Sequence, residues 1–251
     1  MRYSRRVMTS LLDLSRIKAI SLDLDDTLWP IWPVIARAEQ ALQDWLRPRA
    51  PKTALWLADT EQRLALRRQL IAERPELSHD LRALRQEQIR LALAQHGEDR
   101  ALVTPAYEVF IAERMRVQLF DDARPALAWL AQRFPVVAVS NGNADVRRIG
   151  LGHYFSAGFS AQEFGVGKPD ARIFHAAAAS VGVAPHEVLH VGDDALLDVV
   201  GALGAGLQTV WVNRGAQDWT HATHQPHATV ADMSALCTLL RPQFSEVSAP
   251  R

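Results

Sequence analysis

Three carboxylates, Asp23, Asp25 and Asp26, fall within four positions of the segment Ser21-Leu22-Asp23-Leu24-Asp25-Asp26-Thr27-Leu28. They directly follow the apolar run Ile17-Lys18-Ala19-Ile20. A run rich in Ile and Ala that ends in acids has the pattern of a buried strand whose C-terminal end opens onto a site. Parallel sheets bind their ligands at that end. Residues two apart on a strand share a face, so Asp23 and Asp25 are expected to point the same way. Like charges held that close require a cation or a shared proton. The acids therefore indicate a metal, an acid–base pair, or both.

A second acidic cluster, Gly192-Asp193-Asp194-Ala195-Leu196-Leu197-Asp198, again comes straight after an apolar run. Two strand-end carboxylate clusters, brought side by side in a parallel sheet, make a site for a hard, oxygen-liganded cation. Magnesium is the default, because it takes a few carboxylates and leaves room for water and phosphate oxygens. Helix capping alone explains Asp194 or Asp198 but not two clusters on two strands. A third strand ends Val139-Ser140-Asn141-Gly142-Asn143, where a hydroxyl, an amide and backbone N–H groups can meet an anion. The same tripeptide is also ordinary turn chemistry. In Gly165-Val166-Gly167-Lys168-Pro169-Asp170 a lysine stands between glycine and proline just before a helical pattern. That context places Lys168, although a solvated loop lysine is the plain alternative.

The elements that must position these groups are legible as alternating patterns. Val136-Val137-Ala138-Val139, Val188-Leu189-His190-Val191 and Gln208-Thr209-Val210-Trp211-Val212 read as further strands. Helices are expected over 124–133 after Pro125, over 170–181 with Asp170 as cap, and over 194–204 ending at Gly204 and Gly206. This alternation implies a doubly wound, Rossmann-like α/β fold, a parallel sheet with helices on both faces. Residues 33–118 differ: they show no convincing strand and are rich in helix formers. Val34, Ile35, Ala38, Ala41, Leu42, Trp45 and Leu46 make one apolar face, and further helices are expected over 53–73 and 79–95. The expected organisation is a core of residues 17–32 and 119–240, a helical insert of 33–118, and terminal extensions 1–16 and 241–251, the last of which ends in a frayed tail from Ser245.

Together the four elements resemble the haloacid dehalogenase superfamily. Asp23-Leu24-Asp25-Asp26-Thr27-Leu28 fits its first motif, Ser140 its second, Lys168 its third, and Gly192-Asp193 with Asp198 its fourth, all in the right order. The insert stands in the place of the type-1 helical cap. The resemblance implies a phosphatase in which Asp23 attacks phosphorus to form an aspartyl-phosphate, while Asp25 protonates the leaving oxygen and later deprotonates water. It implies Mg²⁺ held by the Asp23 carboxylate, the Asp25 backbone carbonyl and Asp193. Lys168 and Ser140, with backbone N–H groups at Asn141, would bind the phosphoryl oxygens. Asp198, or Asp194, would act from behind on Lys168 or on a metal-bound water.

Dehalogenases of the superfamily lack an acid at the position of Asp25, since a halide leaves without a proton; its presence favours phosphate esters. A sugar or nucleotide phosphatase, or a phosphomutase, shares these motifs. Arg37, the stretch from Arg133 to Ala144, Leu151-Gly152-His153-Tyr154-Phe155 and Val188-Leu189-His190-Val191-Gly192-Asp193-Asp194 look like a riboflavin-pathway branch acting on FMN and 5-amino-6-(5-phospho-D-ribitylamino)uracil. A receiver-like signalling module also gathers acids, a hydroxyl and a lysine around magnesium. The length of the insert and Asp25 argue against it.

Composition narrows the remaining classes. Over 251 residues the formal net charge is zero, which argues against a nucleic-acid footprint, and no run reaches membrane-spanning length. The single cysteine, Cys237, fits a reducing compartment and reads as a buried, inert thiol. Ser4-Arg5-Arg6-Val7-Met8 looks like a twin-arginine export signal, but Asp13, Arg16 and Lys18 interrupt the apolar segment it needs. A cytoplasmic monomer or homodimer that takes a small phosphorylated metabolite is the expectation. Trp29, Trp32, Trp45 and Trp56 could stack on a flat substrate ring but fit packing of the insert and its hinge better. His221, His224 and His227 recur every three residues, yet Pro226 interrupts them and a solvated loop is the simpler reading than a metal site.

Overall fold

A computed structural model describes residues 11–244. The export-like segment at Ser4–Met8 and the tail from Ser245 lie outside the described residues. Six parallel strands, β1 (Ala19–Leu22), β2 (Val136–Ser140), β3 (Ala157–Ser160), β4 (Val188–Gly192), β5 (Gln208–Val212) and β6 (Ala228–Val230), form one sheet in the order β3-β2-β1-β4-β5-β6. The first strand is central, and Leu22 aligns with Ala138 of β2 on one side and Val191 of β4 on the other. The strand ends carrying Asp23, Ser140 and Asp193 therefore open side by side.

Strand alternation divides the apolar residues between two layers. Ile20, Leu22, Val136 and Ala138 pack with α6 (Ala123–Ala131) and α10 (Met233–Leu240), through Leu127, Leu130, Leu236 and Leu240. Ala19, Val137 and Val139 pack on the other face with Ile173, Phe174 and Ala177 of α8 (Ala171–Ser180). The strands are buried at every position from β1 through β2, β4 and β5. Full burial of such side chains stabilises by about 1.5–3 kcal/mol each before entropy is counted.

The doubly wound α/β expectation holds, with differences that have local causes. The strand starting the sheet runs Ala19–Leu22 rather than from Ile17, and β3 and β6 add an edge strand on each side. Between β1 and α6 the chain is helical: α1 (Ile31–Leu46), α2 (Pro51–Ala58), α3 (Thr60–Glu73), α4 (Leu81–Gln95) and α5 (Val103–Arg114). One helix expected over 53–73 is two, because Asp59 is extended and its carboxylate accepts from the N–H groups of Glu61 and Gln62, capping a new helix. The helix expected over 194–204 begins instead as a π-helical turn, Ala195–Val200, followed by the short α9 (Gly201–Gly204). Helices α1, α2, α4 and α5 share their own apolar core, including Leu42, Leu46, Leu57, Ile89, Leu93 and Phe110. Two connections join this insert to the sheet, one before α1 and one after α5. They touch where Phe120 N–H donates to the Leu28 carbonyl at 3.0 Å.

Candidate active site

Asp23 follows β1 directly, its N–H bonded to Val191 of β4 at 2.9 Å, and is buried. Lys168, also buried, bridges Asp23 Oδ1 and Asp198 Oδ1, the latter at 2.5 Å. Asp198 in turn accepts from Asp194 N–H at 2.9 Å and lies 3.1 Å from Nε2 of His190. His190 Nδ1 closes the chain with Ser21 Oγ at 2.8 Å. Thr27 Oγ donates to Asp193 Oδ1 at 2.9 Å and faces Asp23 Oδ2 at 3.4 Å, so one hydroxyl sits between the two carboxylates. Trp211 Nε1 holds the Asp193 carbonyl at 2.7 Å.

Electrostatics make this a site of excess negative charge. Oxygens of Asp23, Asp193 and Asp198 lie within 4.8 Å of one another, with one ammonium among them. Burial, aided by Asp198, pushes the Asp193 carboxyl up to about 7. Burial also raises Asp23 well above the usual carboxylate range, although Lys168 opposes it. Burial alone would raise Asp198 as well, but Lys168 and His190 outweigh it and hold Asp198 low. Lys168 is itself held above its usual range, because Asp198 and Asp23 overcome its desolvation. Burial keeps His190 low, toward the neutral imidazole. An all-oxygen donor set with surplus negative charge fits a hard divalent cation such as Mg²⁺. Asp23, through Oδ2, and Asp193 could hold it, since both Asp198 oxygens are taken, Oδ1 by Lys168 and His190 and Oδ2 by Asp194 N–H.

The groups expected from the sequence to meet phosphate fall around β2. Ser140 is buried and its Oγ accepts from Gly142 N–H at 2.9 Å. The Asn141 amide donates to the Lys168 carbonyl at 2.8 Å and accepts the Lys168 N–H at 2.7 Å. The sequence reading assigned the backbone N–H groups at Asn141 to the phosphoryl oxygens; the side chain clamps the Lys168 backbone. Gly167 makes the clamp possible, because a Cβ there would lie 2.5 Å from Asn141 Oδ1. Asp194, the alternative partner for the lysine, caps the following turn through Leu196 and Leu197 N–H at 2.8 Å each. Asp198 is the one that reaches Lys168.

Asp25 lies beyond the last residue of β1. Strand alternation ends at Leu22, and the chain turns through Asp26, which has φ +58° and caps α1 by accepting Ile31 N–H at 2.8 Å. The Asp25 carboxylate consequently takes partners of its own: Trp29 Nε1 at 2.8 Å, and Arg114 Nη2 at 2.7 Å from both oxygens. A Cβ on Gly142 would overlap Asp25 Oδ2 and lie 3.2 Å from Ser140 Oγ, which puts that carboxylate over the Ser140–Gly142 turn.

Residues 17–206 match the model of the haloacid dehalogenase-like hydrolases. The chain belongs to that family. The hydrolase is 33% identical over 235 residues, 90% of its length and 98% of the relative's, to "5-amino-6-(5-phospho-D-ribitylamino)uracil phosphatase YigB" of Escherichia coli (strain K12). It is 31% identical to "Glyceraldehyde 3-phosphate phosphatase" of Methanopyrus kandleri over 79% of this chain and 85% of that one. Among solved structures it superposes on a 2-haloacid dehalogenase of Pseudomonas syringae pv. Tomato DC3000 with a TM-score of 0.84 and 37% identity, covering 90% of this chain and 99% of that one.

Four side chains of the site went unassigned in the sequence. Thr27 and His190 stand inside the motifs and carried a signal, a hydroxyl beside the acids and a polar residue in an apolar strand. Trp211 and Arg114 carried none that is local. The four tryptophans considered for stacking pack or face outward: Trp29 is fully buried, Trp45 lies under Arg49 at 4.3 Å, Trp56 packs on the core of the insert, and Trp32 is exposed. His227 Nδ1 accepts Thr209 N–H, while the His221 and His224 carbonyls accept Trp219 Nε1. Among the described residues these histidines form no metal group. Cys237 is buried and its thiol is pushed up to about 11 by burial, as an inert packing residue requires.

Proposed function

We propose that the hydrolase is a Mg²⁺-dependent phosphomonoester phosphatase acting through an aspartyl-phosphate on a small phosphorylated metabolite, with FMN or 5-amino-6-(5-phospho-D-ribitylamino)uracil as the substrate. The observation that carries it is the division of labour between two acids two residues apart. Asp23 lies against Lys168 and Asp193, and Asp25 stands separately over the Ser140–Gly142 turn. Asp23 attacks phosphorus, a P–O bond to its carboxylate forms, and the ester P–O bond breaks. Asp25 gives its proton to the departing oxygen, then takes one from the water that releases phosphate and restores Asp23. Lys168 and the N–H groups of the β2 turn hold the phosphoryl oxygens. A magnesium ion held by the Asp23 and Asp193 carboxylates and the Asp25 carbonyl supplies the charge that lets an anionic nucleophile approach a phosphate dianion. The helical insert acts as the cap that excludes water and selects the leaving group.

The substrate rests on the near full-length similarity to the Escherichia coli phosphatase. The glyceraldehyde 3-phosphate phosphatase similarity favours a wider sugar-phosphate range, and the Pseudomonas structure raises 2-haloacids. Asp25 argues against the last, because carbon–halogen cleavage has no use for it. The described residues include no helix long and apolar enough to cross a membrane, which accords with a cytoplasmic metabolite enzyme. A release assay over FMN, the ribitylaminouracil phosphate, nucleoside monophosphates, sugar phosphates, phosphoglycolate and 2-chloropropionate tests the reading, with Asp23→Asn and EDTA as controls. Phosphate release that needs Asp23 and metal is expected, fastest on a flavin-pathway ester. Activity that survives either control overturns the mechanism, chloride release overturns the phosphatase assignment, and equal rates on unrelated esters overturn the substrate.

A further inference from the structure

Arg114 is the last residue of α5, so it belongs to the helical insert, yet its guanidinium meets a carboxylate of the sheet. It is among the largest fully buried side chains of the protein, with 1% exposure. Burying a guanidinium costs several kcal/mol unless it is paired, so its position is not incidental. One nitrogen, Nη2, makes both contacts to Asp25 at 2.7 Å, and Trp29 Nε1 adds a third hydrogen bond to Oδ1. Nη1 is buried and has no hydrogen-bond partner among the described residues. Nη2 also lies 3.5 Å from the place a Gly142 Cβ would take, so the guanidinium borders the same turn as Ser140 Oγ.

The end of α5 is held in place from both sides. Arg37 of α1 pairs with Glu113 at 3.3 Å and donates to the Arg116 carbonyl, and Met115 Sδ accepts Asp145 N–H of the loop after β2 at 3.4 Å. Arg114 thus sits at the second connection between insert and sheet, while Trp29 sits at the first. Any rotation of the insert about these connections carries Arg114 relative to Asp25.

We infer that Arg114 is the positioning residue through which the insert sets the Asp25 carboxylate against the leaving oxygen, so that proton transfer is competent only with the insert in its docked place. The inference rests on the acid–base reading of Asp25. It concerns the first step: the ester P–O bond breaks, its electron pair stays on the leaving oxygen, and the proton on Asp25 moves to that oxygen. Esters whose leaving group departs as a stable anion need no such proton. A defect in positioning Asp25 therefore falls on alkyl esters and spares reactive aryl esters, whereas a loss of folded protein lowers both alike.

The test is kcat/KM, which covers the steps up to departure of the leaving group. It is measured with the alkyl phosphate turned over fastest in the panel above and with p-nitrophenyl phosphate. Arg114→Gln is expected to lose roughly 10²-fold on the alkyl ester, the lower end of general-acid contributions, and at least tenfold less on the aryl ester. Arg114→Lys is expected to recover part of the alkyl activity, because a single nitrogen makes both contacts and one ammonium can replace it. In an Asp25→Asn background, adding Arg114→Gln is expected to change nothing further. Equal losses on both esters, or losses that multiply in the double variant, overturn the role of Arg114. Failure of Asp25→Asn itself to discriminate between the esters would overturn the acid–base reading instead, so the two failures are distinct.

Discussion

Replacing Lys168 by methionine isolates what the buried ammonium does. The wild-type pair is fully enclosed, with side-chain exposures of 2% for Lys168 and 1% for Asp198 and a separation of 2.5 Å. Removing one partner of a buried pair costs about 3–5 kcal/mol, because the remaining charge keeps its desolvation penalty and loses its compensation. Here two carboxylates, Asp23 and Asp198, lose it together. His190 still faces Asp198, but burial favours its neutral form. The deficit must depend on pH, and its sign follows from linkage. In the wild type the lowered Asp198 contributes stability above the ordinary carboxylate range, and that contribution is lost only as pH falls through its depressed value. Between pH 5.5 and 8 the Asp198 contribution is therefore flat, while Asp23 and Asp193, already raised, favour the folded state as pH falls. In Lys168→Met the buried acids lose the ammonium and hold protons more tightly still, so the variant gains more stability than the wild type as pH falls.

Urea unfolding in EDTA is the assay. At pH 8 the variant is expected to be less stable by about 3–5 kcal/mol, and the gap should narrow toward pH 5.5. Magnesium should recover part of the loss at pH 8, since a cation between Asp23 and Asp193 again offsets their charge. Phosphate release should fall by roughly 10²–10³-fold, the usual effect of removing one preorganised donor to a developing anion. A variant as stable as wild type at pH 8, or a deficit that does not change with pH, would refute the account of Lys168 as the counter-charge of two buried acids.

Two further outcomes follow from the same geometry. Asp193, with its carboxyl pushed up to about 7, must release a proton to ligate a cation. Asp23, also raised, must do the same, so calorimetric Mg²⁺ affinity is expected to weaken by at least about tenfold per pH unit below 7, and equal affinities at pH 5.5 and 7.5 would contradict this. Gly142→Ala places a Cβ into Asp25 Oδ2 and against Ser140 Oγ. Displacing either group by a fraction of an ångström should cut kcat/KM by roughly 10²-fold while circular dichroism is unchanged, and unaltered kinetics would show that Asp25 does not stand over that turn.

The parts of this protein legible in its sequence are those encoded by contiguous residues. Short, mainly apolar runs announced β2, β4 and β5, and the acids behind two strands pointed to the place where Asp23, Asp193 and Asp198 meet. Edge strands were not legible: β3 is Ala-Gly-Phe-Ser with only partial burial, and β6 is three residues long. The break at Asp59 was lost because helix formers on either side masked a capping carboxylate. The surroundings of Asp25 were not legible because they come from distant segments, Arg114 of α5 and the turn after β2. The clamp of the Asn141 side chain on the Lys168 backbone was not legible because the two are tertiary neighbours.

Arg114 marks the limit more sharply, since nothing local distinguishes it from the other arginines of the insert. Its meaning comes from a pairing across 89 residues of chain. The two acids of the first motif have opposite needs. A nucleophile works when its negative charge is held against fixed positive charge, whereas an acid–base group works when it can lose and regain a proton within one turnover. A single shared cation would tie both to one electrostatic environment. The fold instead gives Asp23 a lysine from the turn that leads into α8 and gives Asp25 an arginine from the end of α5. On the proposed mechanism, the counter-charge of the nucleophile is then anchored beside the sheet and that of the proton carrier is anchored in the insert.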